Sequence, residues 1–199
     1  MISCKDIIEY LDENYNYTGT LSKLSSNPNI KSDVIAYDYD KIKEIIYKNC
    51  RSVDALLIKN NLNIIEFKTG FASPSESLSD KVKKDNMQLS IRIKAYESLH
   101  LLQTSIIDEI SDSDKLESSI KTVFCAVIDT NDKTVAEESI VDILADAGGV
   151  SEHKSFKVKW LEDVMSIYRK ETDKRKKLFY DEAFIIYDYE FDDKIKLFR

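Results

Sequence analysis

The sequence predicts an α/β protein in which a mixed β-sheet is flanked by helices. Short apolar runs typical of strands alternate with longer stretches whose apolar residues recur at helical spacing. A strand at 62–68, a helix at 77–103 and a strand at 121–129 follow one another, which favours a parallel crossover. With 199 residues, of which 43% are hydrophobic, the chain can bury one sizeable core. We therefore expect a single domain over 1–199, in which 150–199 is either integral or a C-terminal extension.

Composition and charge exclude several classes of protein. The formal net charge of −7 argues against a protein that coats nucleic acid nonspecifically. The three cysteines show no zinc-site spacing, and two histidines leave little basis for Ser-His or Cys-His catalysis. An apolar run of about 18 residues is lacking, and the first ten residues are too polar for a signal peptide. We expect a cytoplasmic protein that does not bind membranes.

The first 50 residues predict two helices joined by a polar connection. Ser3 is a suitable N-cap for a helix that continues to about Tyr15. Residues 16–32 form a loop, with or without a short strand, and 34–37 are extended. A second helix follows, which Asp38 or Asp40 begins as the N-cap. Its buried stripe is formed by Ile42, Ile45 and Ile46.

A β-hairpin at 52–68 is the segment on which the functional interpretation depends. Two short runs rich in Ile, Leu and Val lie on either side of Asn60 and Asn61. Asparagine is a residue that favours turns. Glu66 and Lys68 are two residues apart, so their side chains point to the same face of a strand. An acid and a base on one face of an apolar strand require an explanation.

The length of the hairpin loop determines which residue lies opposite Glu66. A two-residue loop at 60–61 places Ala55 there, whereas a three-residue loop at 59–61 places Asp54 there. We predict the three-residue loop, because it brings two carboxylates and an ammonium together. Neighbouring carboxylates raise each other's pKa unless a cation intervenes, and Mg²⁺ prefers oxygen ligands.

Asp54, eleven intervening residues, and then Glu66-Phe67-Lys68 at the end of an apolar strand resemble the PD-(D/E)xK nuclease superfamily. That superfamily includes restriction endonucleases, Holliday-junction resolvases, RecB-like nucleases and viral cap-snatching endonucleases. Val53 stands where the family name has a proline. The resemblance implies a restriction-endonuclease-like core and Mg²⁺ or Mn²⁺ held by Asp54, Glu66 and the Phe67 carbonyl. It also implies that Lys68 is the catalytic lysine and that the partner is DNA or RNA.

Two questions about this site stay open at the level of sequence. Glu-x-Lys also arises by chance on strands, so an edge strand with a solvated polar face is the alternative interpretation. Many members of the superfamily have another carboxylate from a preceding helix. Asp40 and Glu44 are candidates for it, and we leave that ligand unassigned.

The helix after the hairpin provides a second indication of function. We expect it to begin at Ser77 or Ser79 and to end near Gln103, with an apolar arc formed by Met87, Leu89, Ile91, Ile93, Tyr96 and Leu99. On a helical projection Gln88 and Arg92 fall inside this arc, and the opposite side comprises Ser90, Lys94 and Glu97.

A buried glutamine and arginine need partners. RecB-like nucleases carry a functional Gln on the corresponding helix, so the resemblance implies that Gln88 is catalytic. Arg92 and Lys84 are candidates for binding substrate phosphates. The Gln-x-x-x-Tyr pattern of those nucleases is not kept, because Arg92 stands four residues after Gln88. The alternative is that Gln88 and Arg92 extend to the helix rim and solvent.

The C-terminal half adds strands, helices and a basic segment. We predict a surface turn or short helix at 108–119, a strand at 121–129 buried on both faces, and a final strand at 183–191. Between them we predict a helix at 135–147, a strand at 156–160 and a helix at 161–170. The basic segment 169–177 is a candidate for contacting a phosphate backbone, or is simply solvated.

These patterns predict a metal-dependent nuclease that hydrolyses phosphodiester bonds. The alternative is a catalytically inactive nuclease-fold protein that binds nucleic acid or takes part in an assembly. Whether the protein is a monomer or a homodimer, and whether it cleaves internally or from an end, is open at this level.

Overall fold

In the computed structural model, which describes residues 1–69, 81–128 and 180–198, six strands form one mixed open sheet. The strands lie in sequence order across the sheet. β1 to β4 pair antiparallel with their neighbours, whereas β4, β5 and β6 are parallel. Their bounds are β1 Thr18–Thr20, β2 Ile35–Asp38, β3 Ala55–Ile58, β4 Leu62–Lys68, β5 Thr122–Ile128 and β6 Glu182–Tyr187.

Six α-helices accompany the sheet in the described part of the chain, which confirms the predicted α/β class. They are α1 Cys4–Asn14, α2 Leu21–Leu24, α3 Tyr39–Ile46, α4 Lys81–Leu102, α5 Asp108–Ile110 and α6 Asp188–Lys194. A π-helical turn at Gln103–Ile107 continues α4, and a 3-10 turn at Ile195–Leu197 follows α6. Of the helices described, none combines the length and the apolar character that crossing a bilayer requires.

The N-terminal elements follow the sequence pattern closely. Ser3 caps α1 and exchanges hydrogen bonds with Asp6, as a capping box does. Asp38 caps α3 by accepting a hydrogen bond from the Lys41 N–H. The prediction that Ile45 is buried was wrong, since it is 55% exposed. The buried stripe of α3 passes through Tyr39 and Ile42, and Ile45 lies to one side of it.

The hairpin has the predicted three-residue loop. Ala55 pairs with Ile65 and Ile58 pairs with Leu62, which leaves 59–61 as the connection. The next position in this register places Asp54 opposite Glu66. β4 lies between β3 and β5. The alternative of an edge strand with a solvated polar face was therefore wrong.

The sheet separates two apolar cores. On one face, residues of β3, β4 and β5 pack with α1 and α4, and this core includes Leu11, Leu56, Ile64, Leu99 and Phe124. On the other face, alternate strand residues pack with α2 and α6, and this core includes Leu21, Ile65, Phe67, Cys125 and Phe191. Since Glu66 alternates with Ile65 and Phe67, it points to the face covered by α4.

The predicted final strand ends earlier than expected. β6 stops at Tyr187, and residues 188–191 begin α6 instead of continuing the strand. The Glu190 carboxylate accepts a hydrogen bond from the Tyr187 N–H, which favours a helix start. Asp188 is buried there and accepts hydrogen bonds from the side-chain amides of Asn27 and Asn29.

Several predicted segments lie outside the described residues. They are the start of the long helix and the connection before it at 70–80, the helix at 135–147, the strand at 156–160, the helix at 161–170 and the basic segment at 169–177.

Three hydrogen bonds hold the C-terminal half of α4 against the sheet. The Val53 N–H donates to Ser98 Oγ at 2.9 Å, and the Tyr39 hydroxyl donates to the Ser98 carbonyl at 2.9 Å. The Tyr180 hydroxyl donates to the Ala95 carbonyl at 2.6 Å. All these groups are buried, so the helix is docked against the segment before β3, the start of α3 and the segment before β6.

Replacing Ser98 with Ala should destabilise the protein, because the buried Val53 N–H loses its acceptor. We expect Ser98→Ala to lower the free energy of unfolding by about 1–3 kcal/mol in urea denaturation. Ser90→Ala, the same change on a half-buried position of the same helix, should alter it by no more than about 0.5 kcal/mol. Equal effects of the two substitutions would contradict this account of how α4 is anchored.

Candidate metal site

Asp54 lies immediately before β3, where its side chain meets the end of β4. The carboxylate is 21% exposed, and its Oδ2 accepts a hydrogen bond from the Phe67 N–H at 2.6 Å. The Asp54 carbonyl accepts a hydrogen bond from the Tyr39 N–H at the start of α3. Asp54 is thus held at both its backbone and its side chain, with Oδ1 directed towards α4.

Glu66 is the buried centre of the site, with 0% of its surface exposed. Lys68 Nζ lies 2.7 Å from Oε1, which confirms that the two side chains share one face of β4. Lys94 Nζ, from α4, lies 2.9 Å from Oε1 and donates a hydrogen bond to Oε2 at 3.1 Å. Both ammonium groups contact Oε1 as ion pairs outside hydrogen-bonding geometry, so within the described segments this buried oxygen makes no hydrogen bond.

Lys94 is the residue that the sequence analysis missed. It was expected on the side of α4 opposite the apolar arc, but it contacts Glu66 and lies 3.9 Å from Asp54 Oδ1. In this half of the helix the expected arc was right for Leu99, which is buried, and wrong for Tyr96, which is 53% exposed. Ala95 and Ser98, which were not part of the arc, are buried. The small residues Ala95 and Ser98 were the signal that could have predicted this position of Lys94, because small side chains allow a helix to approach a sheet closely.

Burial and neighbouring charges shift the pKa values of Asp54 and Lys94. Burial and the neighbouring Glu66 raise the pKa of Asp54 to about 7, although Lys94 and the Phe67 N–H act in the opposite direction. Burial acts to lower the pKa of Lys94, but the charges of Glu66 and Asp54 outweigh it and the net shift is upward. Lys94 is therefore a firmly charged cation beside two acids.

Asp40, at the start of α3, is the candidate for an additional carboxylate whose charge acts on the site. Its charge contributes to the raised pKa of Asp54 and of Lys94, and its Oδ1 accepts a hydrogen bond from the Ser52 hydroxyl. It does not complete a cluster with the other acids, because in the described ranges no three Asp, Glu, His or Cys side chains are grouped closely enough to hold a metal ion.

The residues present nevertheless fit a hard divalent cation. Asp54, immediately before β3, and Glu66, in β4, supply carboxylate oxygens. Glu66 Oε1 is buried and makes no hydrogen bond in that part of the chain, and its neighbours at 2.7 and 2.9 Å are the ammonium groups of Lys68 and Lys94, so it already lies in a position that a cation occupies. Mg²⁺ commonly uses one or two protein carboxylates and keeps several waters, so a third acidic side chain is not required. Asp54 and Glu66 would hold the ion, and the Phe67 carbonyl stays a predicted ligand.

The predicted residues of α4 are placed only by their backbone. Lys84, Gln88 and Arg92 are all within the helix, and their side chains lie outside the described residues. Their roles in catalysis and in phosphate binding stay predictions. The ring of Phe67 faces away from the site and packs edge-on against Phe191, with centroids 5.5 Å apart.

Comparison of the chain with protein-family models, curated proteins and solved structures found no match. The functional interpretation therefore depends on the residues and geometry of the site itself.

Replacing Asp54 with Asn should stabilise the metal-free protein at neutral pH and above. The carboxyl has a pKa of 3.8 when unfolded and about 7 when folded, so the unfolded chain releases the proton first and stability falls as the pH rises through this interval. The advantage of Asp54→Asn should grow by about 2 kcal/mol from about pH 5 to about pH 8, measured by urea denaturation in EDTA.

Asp33→Asn, at an exposed position, is the matched control and should show no comparable gain. A pH-independent difference between Asp54→Asn and the wild type would contradict the raised pKa.

Proposed function

We propose that this protein is a metal-dependent nuclease that hydrolyses phosphodiester bonds of DNA or RNA on a restriction-endonuclease-like core. The observation that supports it most is the convergence of Asp54, Glu66 and Lys68 on one face of the sheet beneath α4. The mixed sheet, with its antiparallel hairpin and its parallel crossover through α4, is compatible with such a core.

Charge within the site supports a role in binding phosphate. Above the pKa of Asp54, which is about 7, the two carboxylates and the two ammonium groups of Lys68 and Lys94 balance one another in the metal-free protein. Addition of a divalent cation leaves the site positive, which attracts a phosphodiester even though the whole chain has a net charge of −7.

Each residue has a distinct task in the proposed reaction. A bound Mg²⁺ or Mn²⁺ would polarise the scissile phosphate and lower the pKa of a bound water. Asp54 and Glu66 would hold the ion, and the Phe67 N–H fixes the orientation of the Asp54 carboxylate through Oδ2. The Lys68 ammonium stabilises negative charge that develops on the phosphate. In this proposal Gln88 orients the attacking water, while Arg92 and Lys84 bind substrate phosphates.

A second candidate function is a catalytically inactive nuclease-fold protein that binds nucleic acid or takes part in an assembly. The observation that favours it is the neutralisation of Glu66 by two lysines, which gives the buried acid its counter-charges without a metal. This candidate predicts binding of nucleic acid without cleavage.

Cleavage assays with labelled single- and double-stranded DNA and RNA separate the two candidates. We expect cleavage with Mn²⁺ and none with EDTA. Glu66→Ala and Lys68→Ala should each reduce the rate by at least about 100-fold, because they remove a metal ligand and a charge-stabilising group. Lys59→Ala, in the loop of the same hairpin, should keep the wild-type rate.

Circular dichroism should accompany the assays, to show that each variant is folded. Cleavage that persists unchanged in Glu66→Ala would indicate a contaminating nuclease and would count against the proposal. Binding of nucleic acid with no metal-dependent cleavage on any substrate would favour the inactive candidate.

A further inference from the structure

We propose that Lys94 is a built-in counter-cation that competes with the divalent metal for Asp54 and Glu66. In the metal-free protein its ammonium occupies the space between the two carboxylates, and metal loading requires it to leave. The inference depends on the proposed metal site. It adds that Lys94 raises the metal concentration at which this site becomes occupied.

The contacts of Lys94 are those of a cation shared by both acids. Its Nζ lies 2.9 and 3.1 Å from the two oxygens of Glu66 and 3.9 Å from Asp54 Oδ1. Lys68 contacts Glu66 Oε1 at 2.7 Å and forms no ion pair with Asp54 in the described part of the chain. Lys94 is thus the ammonium that bridges the pair, whereas Lys68 is attached to one member of it.

The ammonium and a divalent ion cannot both keep these contacts. Mg²⁺ binds carboxylate oxygens at about 2.0–2.1 Å, so it would take the same position in front of the Glu66 carboxylate. Two cations in contact in a largely buried site repel each other strongly. Since Glu66 is fully buried, solvent cannot screen that repulsion there.

Displacement of Lys94 does not require the helix to move. Ser98 and Ala95, on the same part of α4, are held by buried hydrogen bonds to Val53, Tyr39 and Tyr180. The Lys94 side chain is 20% exposed, and its four methylene groups allow the ammonium to swing to solvent. The exchange is therefore a rotation of one side chain on a fixed helix.

Titration of the 199-residue chain with Mn²⁺, followed by isothermal calorimetry, tests this inference. Removal of the competing charge in Lys94→Met should tighten the Kd for Mn²⁺ by at least about tenfold relative to the wild type. Lys94→Arg keeps the cation and should bind Mn²⁺ no more tightly than the wild type. Lys68→Met, which removes the other ammonium of the site, should tighten the Kd by much less than Lys94→Met.

The outcomes distinguish this inference from the proposed function. If Mn²⁺ binds the wild type and Lys94→Met equally, or if Lys68→Met tightens binding as much, Lys94 is not the competitor and the metal site itself still stands. If Lys94→Arg tightens the Kd for Mn²⁺ as much as Lys94→Met does, that result would also overturn the inference. If none of the proteins binds Mn²⁺, the metal site fails, and this inference fails with it.

Folding of the variant provides a second measurement. Lys94→Met leaves two acids with one ammonium, so it should unfold at lower urea concentration than the wild type in EDTA and gain more stability from Mn²⁺ than the wild type gains. If the variant is unfolded in EDTA, Mn²⁺ should restore its far-ultraviolet circular dichroism. Equal destabilisation with and without Mn²⁺ would show that Lys94 stays in place with the metal, and would overturn the inference.

Discussion

Burial of the Glu66 charge is the constraint on which the rest of the structure depends. A carboxylate with no contact to water costs several kcal/mol unless opposite charges and hydrogen bonds surround it. Lys68 supplies one of these charges from the same strand, and Lys94 supplies the other from α4. The fold must therefore hold α4 close enough to β4 for a lysine to reach the acid. The buried hydrogen bonds of Ser98 and Ala95 maintain that distance.

The change from antiparallel to parallel pairing at β4 creates the place for this cluster. The antiparallel hairpin brings the start of β3 beside the end of β4, so Asp54 meets Glu66. The parallel pairing of β4 with β5 requires a crossover, and α4 provides it on the face to which Glu66 points. This topology explains why the two acids, the two lysines and α4 meet at one end of the sheet. The explanation is the same for a site that binds a metal and for a site that its lysines close permanently.

Local patterns in the sequence were sufficient for much of the fold. The N-cap at Ser3, the apolar run of β5 and the three-residue hairpin loop were predicted and are present. Predictions failed where a neighbour determined the outcome. Ile45 has helical spacing but faces solvent, because α3 buries only a narrow stripe. β6 ends at Tyr187 because the following residues make helix and side-chain contacts that no strand periodicity predicts.

By itself, the sequence determined that Glu66 and Lys68 share a face, and it predicted Asp54 as their neighbour through a three-residue loop that the strand register confirms. The reason is that side chains alternate strictly along a strand and that a hairpin loop sets the register. Only the tertiary structure decided that Lys94 joins them. The rotation of α4 about its axis depends on the buried hydrogen bonds that Ala95 and Ser98 make with Val53, Tyr39 and Tyr180. Gln88 and Arg92 looked more suitable than Lys94 when apolar residues alone were used to orient the helix.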